Sequence, residues 1–515
     1  MRKLLKMPLT SCLQRCIDPF WLWVIIINLA GCLPLIAQGV LTGSNMAEFQ
    51  LGNIPNTDPK DQSSLYDQLN LRYSTNSLTV KARIEQFYPS YDDDKSYTKL
   101  SQYSAQYTTR KLSLNVGNLY TTLGRGLLLR TYEIPGAMWE TRGYRVRYAF
   151  YRDLHGIEVG YKMGNAEIKG LRGRVLDVTL PPTVDRDVER RPDLVEGGQL
   201  SYQLDQHKAG IIYMRHNNAS VNTSYSSVFY SGNFGKNLSV YAEMANRLDT
   251  AGHMISFTDT SGYAAYASIN YVYKRLGISV EFKDYRNMSI GAGITDPPTL
   301  VKEHTYRLLN RATHIPLLNN ERGYQVELIY RFNNNGMITL NNSMARNEVI
   351  KGKVSIYREF FVEYQLPVGK QISGALFADY ARDPLVSEND RYTSGLSVNV
   401  GHNNLTSLLE TELQFARRIL LETNNIVNTY LAYTLSKGSA FSASAILEIT
   451  NDPFLVEENK NQNYYPGIGL SCRPDNHNRI SVFAGKRRGG PACNSGVCYD
   501  VLDFEGVEVR FTTRF

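Results

Sequence analysis

Thiols, histidines set among charges, and runs of ionic residues are the features of this sequence that could carry chemistry. Cys493 and Cys498 flank Asn494-Ser495-Gly496-Val497, a spacing that a small disulfide loop closes in an oxidising compartment. A zinc site is the competing reading; it requires more ligands than two thiolates, and no histidine lies near them in sequence. Cys472 remains as a free thiol, expected to be buried because it follows Ile468 and Leu470 on an apolar face. Of eight histidines only His304 and His314 share a segment, among Lys302, Glu303, Arg307 and Arg311. Asp92-Asp93-Asp94 reads either as a calcium ligand set or as a solvated acidic turn. Lys486-Arg487-Arg488 reads either as a clamp for lipopolysaccharide phosphates or as a solvated charge run. Gly117, Gly124 and Gly126 permit a bend or a close chain approach; no helix follows them to make a phosphate cradle. Walker loops, His-Glu-x-x-His and Gly-x-Ser-x-Gly elbows do not occur, so neither enzymatic activity nor a cofactor or metal is expected.

The elements that hold these residues follow from composition and period. The chain has 515 residues, 43% of them hydrophobic, and a mean hydropathy of −0.32, which excludes a bundle of membrane helices because each span needs about 20 mostly apolar residues. Its 35 Tyr and 19 Phe with a formal charge of +7 argue against disorder. One apolar run, Phe20 to Ile36, follows Arg2, Lys3, Lys6 and Arg15 and leads to Ala37-Gln38-Gly39; residues 1–37 are read as a signal peptide. Leu29-Ala30-Gly31-Cys32 leaves lipoprotein processing at Cys32 open, and a retained anchor is the third reading. The signal accounts for four of 56 basic and one of 49 acidic residues, leaving +4, too balanced to imply a nucleic-acid partner.

From residue 66 the dominant signal is a period of two in segments of about ten residues. Leu78, Val80, Ala82 and Ile84 oppose Thr79, Lys81, Arg83 and Glu85; Ile278, Val280 and Phe282 oppose Ser279, Glu281 and Lys283. Tyr324, Val326, Leu328 and Tyr330 oppose Gln325, Glu327 and Arg331; Leu409, Leu413 and Phe415 oppose Glu410, Glu412 and Gln414. A soluble sandwich or propeller would bury the apolar face, whereas a membrane barrel turns it to lipid and the charged face to a lumen. Mid-strand charges of both signs, tyrosines at strand ends and a final strand ending in Phe511 and Phe515 favour the barrel. Phe511 and Phe515 then read as the targeting signal for the barrel-assembly machinery.

The expected architecture is all-β: residues 38–65 as an N-terminal periplasmic segment and 66–515 as a transmembrane antiparallel β-barrel of about 20 to 24 strands. Tight connections near 474–478, 436–439, 401–404, 367–370, 333–336, 276 and 232–236 alternate with longer ones at 487–500, 451–462, 418–424, 382–390, 346–353, 287–322 and 247–260. The longer set is expected to face the cell exterior. Lys81, Arg83, Glu85, Glu281, Lys283, Glu327, Arg331, Glu410 and Glu412 are the expected lumen lining. The 287–322 loop, with Leu300, Val301, Leu308, Leu309, Ile315 and Leu317, is too apolar for pure solvent exposure and is read as a lumen-constricting or partner-binding segment; the alternative is an external loop packed on its neighbours.

At Asn115-Val116-Gly117-Asn118-Leu119-Tyr120, Gly124 to Arg130, Pro297-Pro298-Thr299-Leu300, His304-Thr305-Tyr306 and Leu309-Asn310-Arg311, and at Gly489-Gly490, Cys493, Gly496-Val497-Cys498 and Thr512 to Phe515, the sequence resembles an uncharacterised family of outer-membrane barrels from Bacteroidota. The resemblance implies fold and location and names no catalytic residue. A plugged receptor or an assembly barrel would require a large domain ahead of the first strand, and strands begin by residue 66. Two functions are therefore expected. One is an outer-membrane channel of porin type for small polar solutes, neutral or of mixed charge because the lumen carries both signs. The other is a non-conducting barrel that serves as scaffold or subunit of an envelope complex. Outer-membrane lipid and lipopolysaccharide, the assembly machinery and an envelope protein are the partners either would meet.

Overall fold

The computed structural model describes residues 39–140, 145–177, 180–218, 222–248, 262–288, 290, 302–315, 320–350, 352–367, 369, 371–419, 422–456, 459–494 and 497–515. The signal segment 1–37 lies outside them. Twenty-four antiparallel strands form one closed sheet. Val40–Asn53, Ser63–Ser74, Leu78–Pro89, Tyr97–Thr108 and Leu112–Leu119 come first, followed by a run from Leu154–Met163 to Asn478–Arg487 and then by Phe504–Arg514. Each strand pairs with its sequence neighbour, with Leu154–Met163 pairing Leu112–Leu119 across an insert. Phe504–Arg514 pairs with both Asn478–Arg487 and Val40–Asn53, which closes the ring.

Residues 38–65 are not a segment ahead of the barrel. Val40–Asn53 and Ser63–Ser74 are wall strands in full register with each other, so the wall begins at Val40. The alternation is present there, with Met46, Glu48 and Gln50 buried inside and Phe49 and Leu51 exposed outside. Gly43, Asn45 and Ala47 dilute its outer face and hide it from a hydropathy reading.

The two faces sort as alternation demands. Outward positions such as Val80, Ile157, Ile211, Phe282, Leu376, Leu413 and Ile468 are exposed, while Arg83, Glu85, Lys283, Glu412 and Glu448 on the opposite face are buried. Cys472 belongs to the outer set and is exposed, which corrects the expectation of a buried thiol: the apolar face points away from the barrel interior. The tight connections cluster on one rim, from 75–77 to 473–477. On the opposite rim 351–352 and 384–387 are also short, because their strands extend further than the hydropathy pattern does. From that same rim three inserts depart: 120–153, the segment containing 302–315, and 488–503.

Two rows of inward positions carry no side chain: Gly117, Gly156 and Gly173 in one, and a longer one beside the closing strand. Gly467, Gly485, Gly506 and Gly52 face one another in register across four neighbouring strands. Gly485 and Gly506 have φ of 132° and 152°, and a Cβ on Gly506 would stand 2.2 Å from the Leu51 carbonyl oxygen. Only glycine accepts that approach, and glycine at such a place is what a tight bend at a barrel corner requires.

Two outcomes are expected. Gly506→Val should strain the closing pair by about 1–3 kcal/mol, and is checked by the temperature at which the folded, fast-migrating band is lost on an unboiled gel; an unchanged temperature contradicts the crease. Cys493 and Cys498 stand directly opposite each other in the hairpin Gly490–Asn494/Val497–Val501, where antiparallel Cα atoms lie about 4.5–5.5 Å apart, within disulfide reach. Peptide mapping without reductant is expected to recover them cross-linked and Cys472 free, and recovery of all three as thiols from oxidised protein contradicts it.

Candidate functional site

The candidate site is the barrel interior, where the inward strand faces meet the three inserts. Segment 302–315 enters the lumen and is held there by wall carboxylates. Glu327 pairs with Lys302, Glu359 meets His304 Nε2 at 3.0 Å, and Tyr306 donates its hydroxyl to Glu363 at 2.6 Å. A one-turn helix, Arg307–Arg311, has no side-chain cap of its own. Its first two amides donate to Glu412, from Arg307 N at 2.7 Å and Leu308 N at 2.8 Å, so a wall residue satisfies the helix end. Arg311 pairs with Glu448, and His314 Nδ1 meets Asp383 at 2.7 Å. Residues 302–315 are therefore a lumen insert rather than an external loop; Leu300, Val301 and Leu317 lie outside the described residues.

The second insert was hidden by its glycines. Leu123, Leu127, Leu128 and Leu129 pack with inward Ile212, Met214, Tyr225, Phe229, Tyr241 and Tyr266 in one apolar cluster. Gly124 has φ of 57°, and a Cβ there would stand 2.4 Å from the Glu243 carboxylate, which also accepts from the Arg125 amide at 2.7 Å. The hairpin Tyr132–Glu140/Arg147–Arg152 continues inward. Arg83 pairs with Glu133, Arg147 with Glu48 and Glu140, and Glu85 accepts from the Ala149 amide at 2.9 Å. The third insert joins these two. Tyr499 stacks on Phe150 at a ring separation of 5.1 Å, Val497 packs with Ile134, Ala137 and Phe150, and the Arg488 carbonyl accepts from Arg311 Nη2 at 2.9 Å.

Most of the expected lumen residues face inside. Lys81 borders an open cavity with Asn70 and Arg72, Glu281 accepts from Tyr266 at 3.0 Å, Glu410 lies inward of Leu409 and half-buried, and Lys283 pairs with Glu321, both without exposed side-chain surface. Arg331 departs from expectation: it is exposed at the tight-turn rim and bonds Asn335 at 3.2 Å, because its strand ends there. Of the basic run, Arg487 and Arg488 turn inward to Glu508 at 3.0 Å and Glu448 at 3.1 Å, which removes them from a lipid clamp; Lys486 pairs with Glu505 at 3.1 Å. The acidic triplet is a local turn, in which Asp92 accepts from the Asp94 amide at 3.2 Å and pairs with Lys95 at 3.2 Å. His304, Glu359 and Asp379 lie close enough to hold a cation, but Arg391 Nη2 already stands 3.8 Å from Glu359 and 3.7 Å from Asp379. Its guanidinium supplies the positive charge, and the group reads as an ion network.

Between the inserts the interior stays open. A cavity of about 980 Å³ lies towards the long-connection rim, bordered by Trp139, Arg311, His314, Asp383 and Arg418. It shares Glu140, Arg311, Arg488 and Asp503 with a narrower space of about 320 Å³. Beyond Gly136 a third, of about 940 Å³, reaches the tight-turn rim past Arg72, Lys81 and Arg473. The partners that shape this series come from strands far apart in sequence, such as Glu48 with Arg147 and Glu412 with Arg307. Alternation predicts the face a residue takes and leaves its partner unspecified.

Similar barrels exist among solved structures. The P pilus usher PapC translocation pore matches at 12% identity over 92% of this chain and 99% of that one, with a TM-score of 0.48. A chain of the E. coli P pilus tip assembly intermediate PapC-PapD-PapK-PapG matches at 11% identity over 92% of this chain and 60% of that one, with a TM-score of 0.51. OccK5 (OpdH) of Pseudomonas aeruginosa matches at 13% identity over 70% and 97%, with a TM-score of 0.38. At such identities the likeness is one of fold. No curated protein matches the chain. In sequence the match lies elsewhere: the model of DUF6029, a family of unknown function, covers residues 44–515, the wall and all three inserts, and the chain belongs to that family.

Proposed function

We propose that the chain is a channel-type barrel of the outer membrane that passes small polar solutes, its lumen narrowed by residues 302–315. The observation that carries this reading is the series of adjoining cavities from one rim to the other, each bordered by charged side chains, past an insert held by ion pairs and hydrogen bonds. Twenty-four strands enclose more space than their own side chains fill, and the inserts take up only part of it. The exposed apolar outer face supports a lipid setting, with lipopolysaccharide as the outer lipid and export by the 1–37 segment. Phe511 and Phe515 lie on the outer side of the closing strand, where the assembly machinery would meet them. A Bacteroidota source rests on the sequence resemblance alone. A non-conducting scaffold within an envelope complex is the second reading, favoured by the apolar cluster that packs one side of the lumen.

Replacing 302–315 by a short Gly-Ser linker is expected to raise single-channel conductance in planar bilayers while the barrel remains folded. Absence of current from both forms ends the channel reading, and co-purification with a stoichiometric envelope protein would then favour the scaffold. Glu412→Ala leaves the two leading helix amides without their acceptor, at about 1–3 kcal/mol for each buried group. It is expected to make the open-channel current noisier than in Glu412→Gln, which keeps an acceptor oxygen. Equal noise in the two variants contradicts the anchoring role of Glu412.

A further inference from the structure

The narrow cavity is lined unevenly by charge. Arg145, Arg147 and Arg510 border it on one side and Arg307, Arg311, Arg487 and Arg488 on the other, against Glu48, Glu140, Glu508, Asp500 and Asp503. The first three arginines share Glu48 and Glu140. Arg311 and Arg488 share the single carboxylate of Glu448, and Arg487 pairs with Glu508. Arg307 differs from all of these. Its polar side-chain contact is Nη2 to the Arg488 carbonyl at 3.5 Å, and among the described residues no carboxylate lies within ion-pair distance of it. Although it sits deep inside the barrel, its surface is exposed, the condition of a side chain that projects into an enclosed cavity. Withdrawal from bulk water, with the Arg311 and Arg487 charges beside it, pulls its proton affinity below that of an ordinary arginine; a guanidinium nonetheless remains charged.

We propose that Arg307, flanked by Arg311, Arg487 and Arg488, forms a binding site for the oxyanion group of a small solute in the smallest of the three cavities. The proposal rests on the channel reading and names the class of solute that the channel selects. A guanidinium matches a carboxylate or phosphate with two parallel N–H donors, and such a contact is stronger in an enclosed site than in bulk water. A space of about 320 Å³ is at the small end of ligand sites, which suits a solute of few heavy atoms. The cavity beyond Gly136 carries Arg72, Lys81, Arg83, Arg473, Arg479 and Arg514 against Glu133 alone, so an anion entering from the tight-turn rim reaches the Arg307 site through a basic approach, while the cavity of about 980 Å³ on the other side is of mixed charge. Arg307 belongs to an insert, so its removal leaves every wall pair intact.

The protein itself supplies the reporter. Trp139 is the single tryptophan after residue 37; it borders the adjoining cavity, next in sequence to Met138 and Glu140 of the narrow one. Trp139 fluorescence of the purified barrel, residues 38–515, in detergent is titrated with succinate, with inorganic phosphate and with uncharged glycerol at constant ionic strength, and calorimetry reads the same equilibria. Saturable binding of succinate or phosphate is expected, weakened at least tenfold in Arg307→Gln and unchanged in Lys437→Gln at the tight-turn rim. The stronger of the two anions identifies a carboxylate or a phosphate solute. Equal binding by wild type and Arg307→Gln, or no saturable binding of either anion, overturns the site. Arg307-dependent binding without any bilayer current supports the site and ends the channel reading, whereas current without such binding ends the site alone.

Discussion

A carboxylate withdrawn from water must be met by a cation or by hydrogen-bond donors, because an isolated buried charge is far more costly than any surface contact can repay. The inner face of this wall presents Glu48, Glu85, Glu243, Glu359, Glu412 and Glu448, all nearly without solvent exposure. Each is met by an insert. Arg147 answers Glu48, the Ala149 amide answers Glu85, the Arg125 amide answers Glu243, His304 answers Glu359, the helix amides answer Glu412 and Arg311 answers Glu448. The wall and its contents thus depend on each other. Without the inserts these acids would face water, and without the acids the inserts would have little to fix their depth.

The interior has a more apolar and a more ionic side. Strands between Leu154 and Arg286 turn Ile212, Met214, Phe229, Tyr241, Tyr266 and Tyr285 inward, and the leucines of 119–129 close over them. The remaining strands turn more charges inward, with Tyr357, Phe361 and Phe377 among them, and border the cavities. Apolar packing on one side gives the inserts a rigid seat, while the ion pairs on the other position the groups that border the open space.

Much of this was legible in the sequence. The alternation of Leu78 to Glu85 or Leu409 to Phe415 states which face is which, and the turns locate both rims to within a few residues. The charged residues between those turns point inside as read, apart from Arg331 at the rim. What alternation does not carry is partnership: Glu48 and Arg147 are separated by four whole wall strands and the first strand of the inner hairpin, and nothing local relates them. The inward aromatics were also missed. Tyr241 and Phe361 occupy polar-face positions and show their role only when an insert lies against them. The first strand escaped because Gly43 and Ala47 weaken its apolar face.

The glycine row has a geometric consequence. A ring of strands has a perimeter set by their number, but the area it encloses is greatest when the ring is round. A bend where Gly467, Gly485, Gly506 and Gly52 stand in register would leave the perimeter untouched and reduce the area. Residues without a side chain would then set lumen width independently of strand count. Families of equal strand number can accordingly differ in bore through the placement of a few glycines.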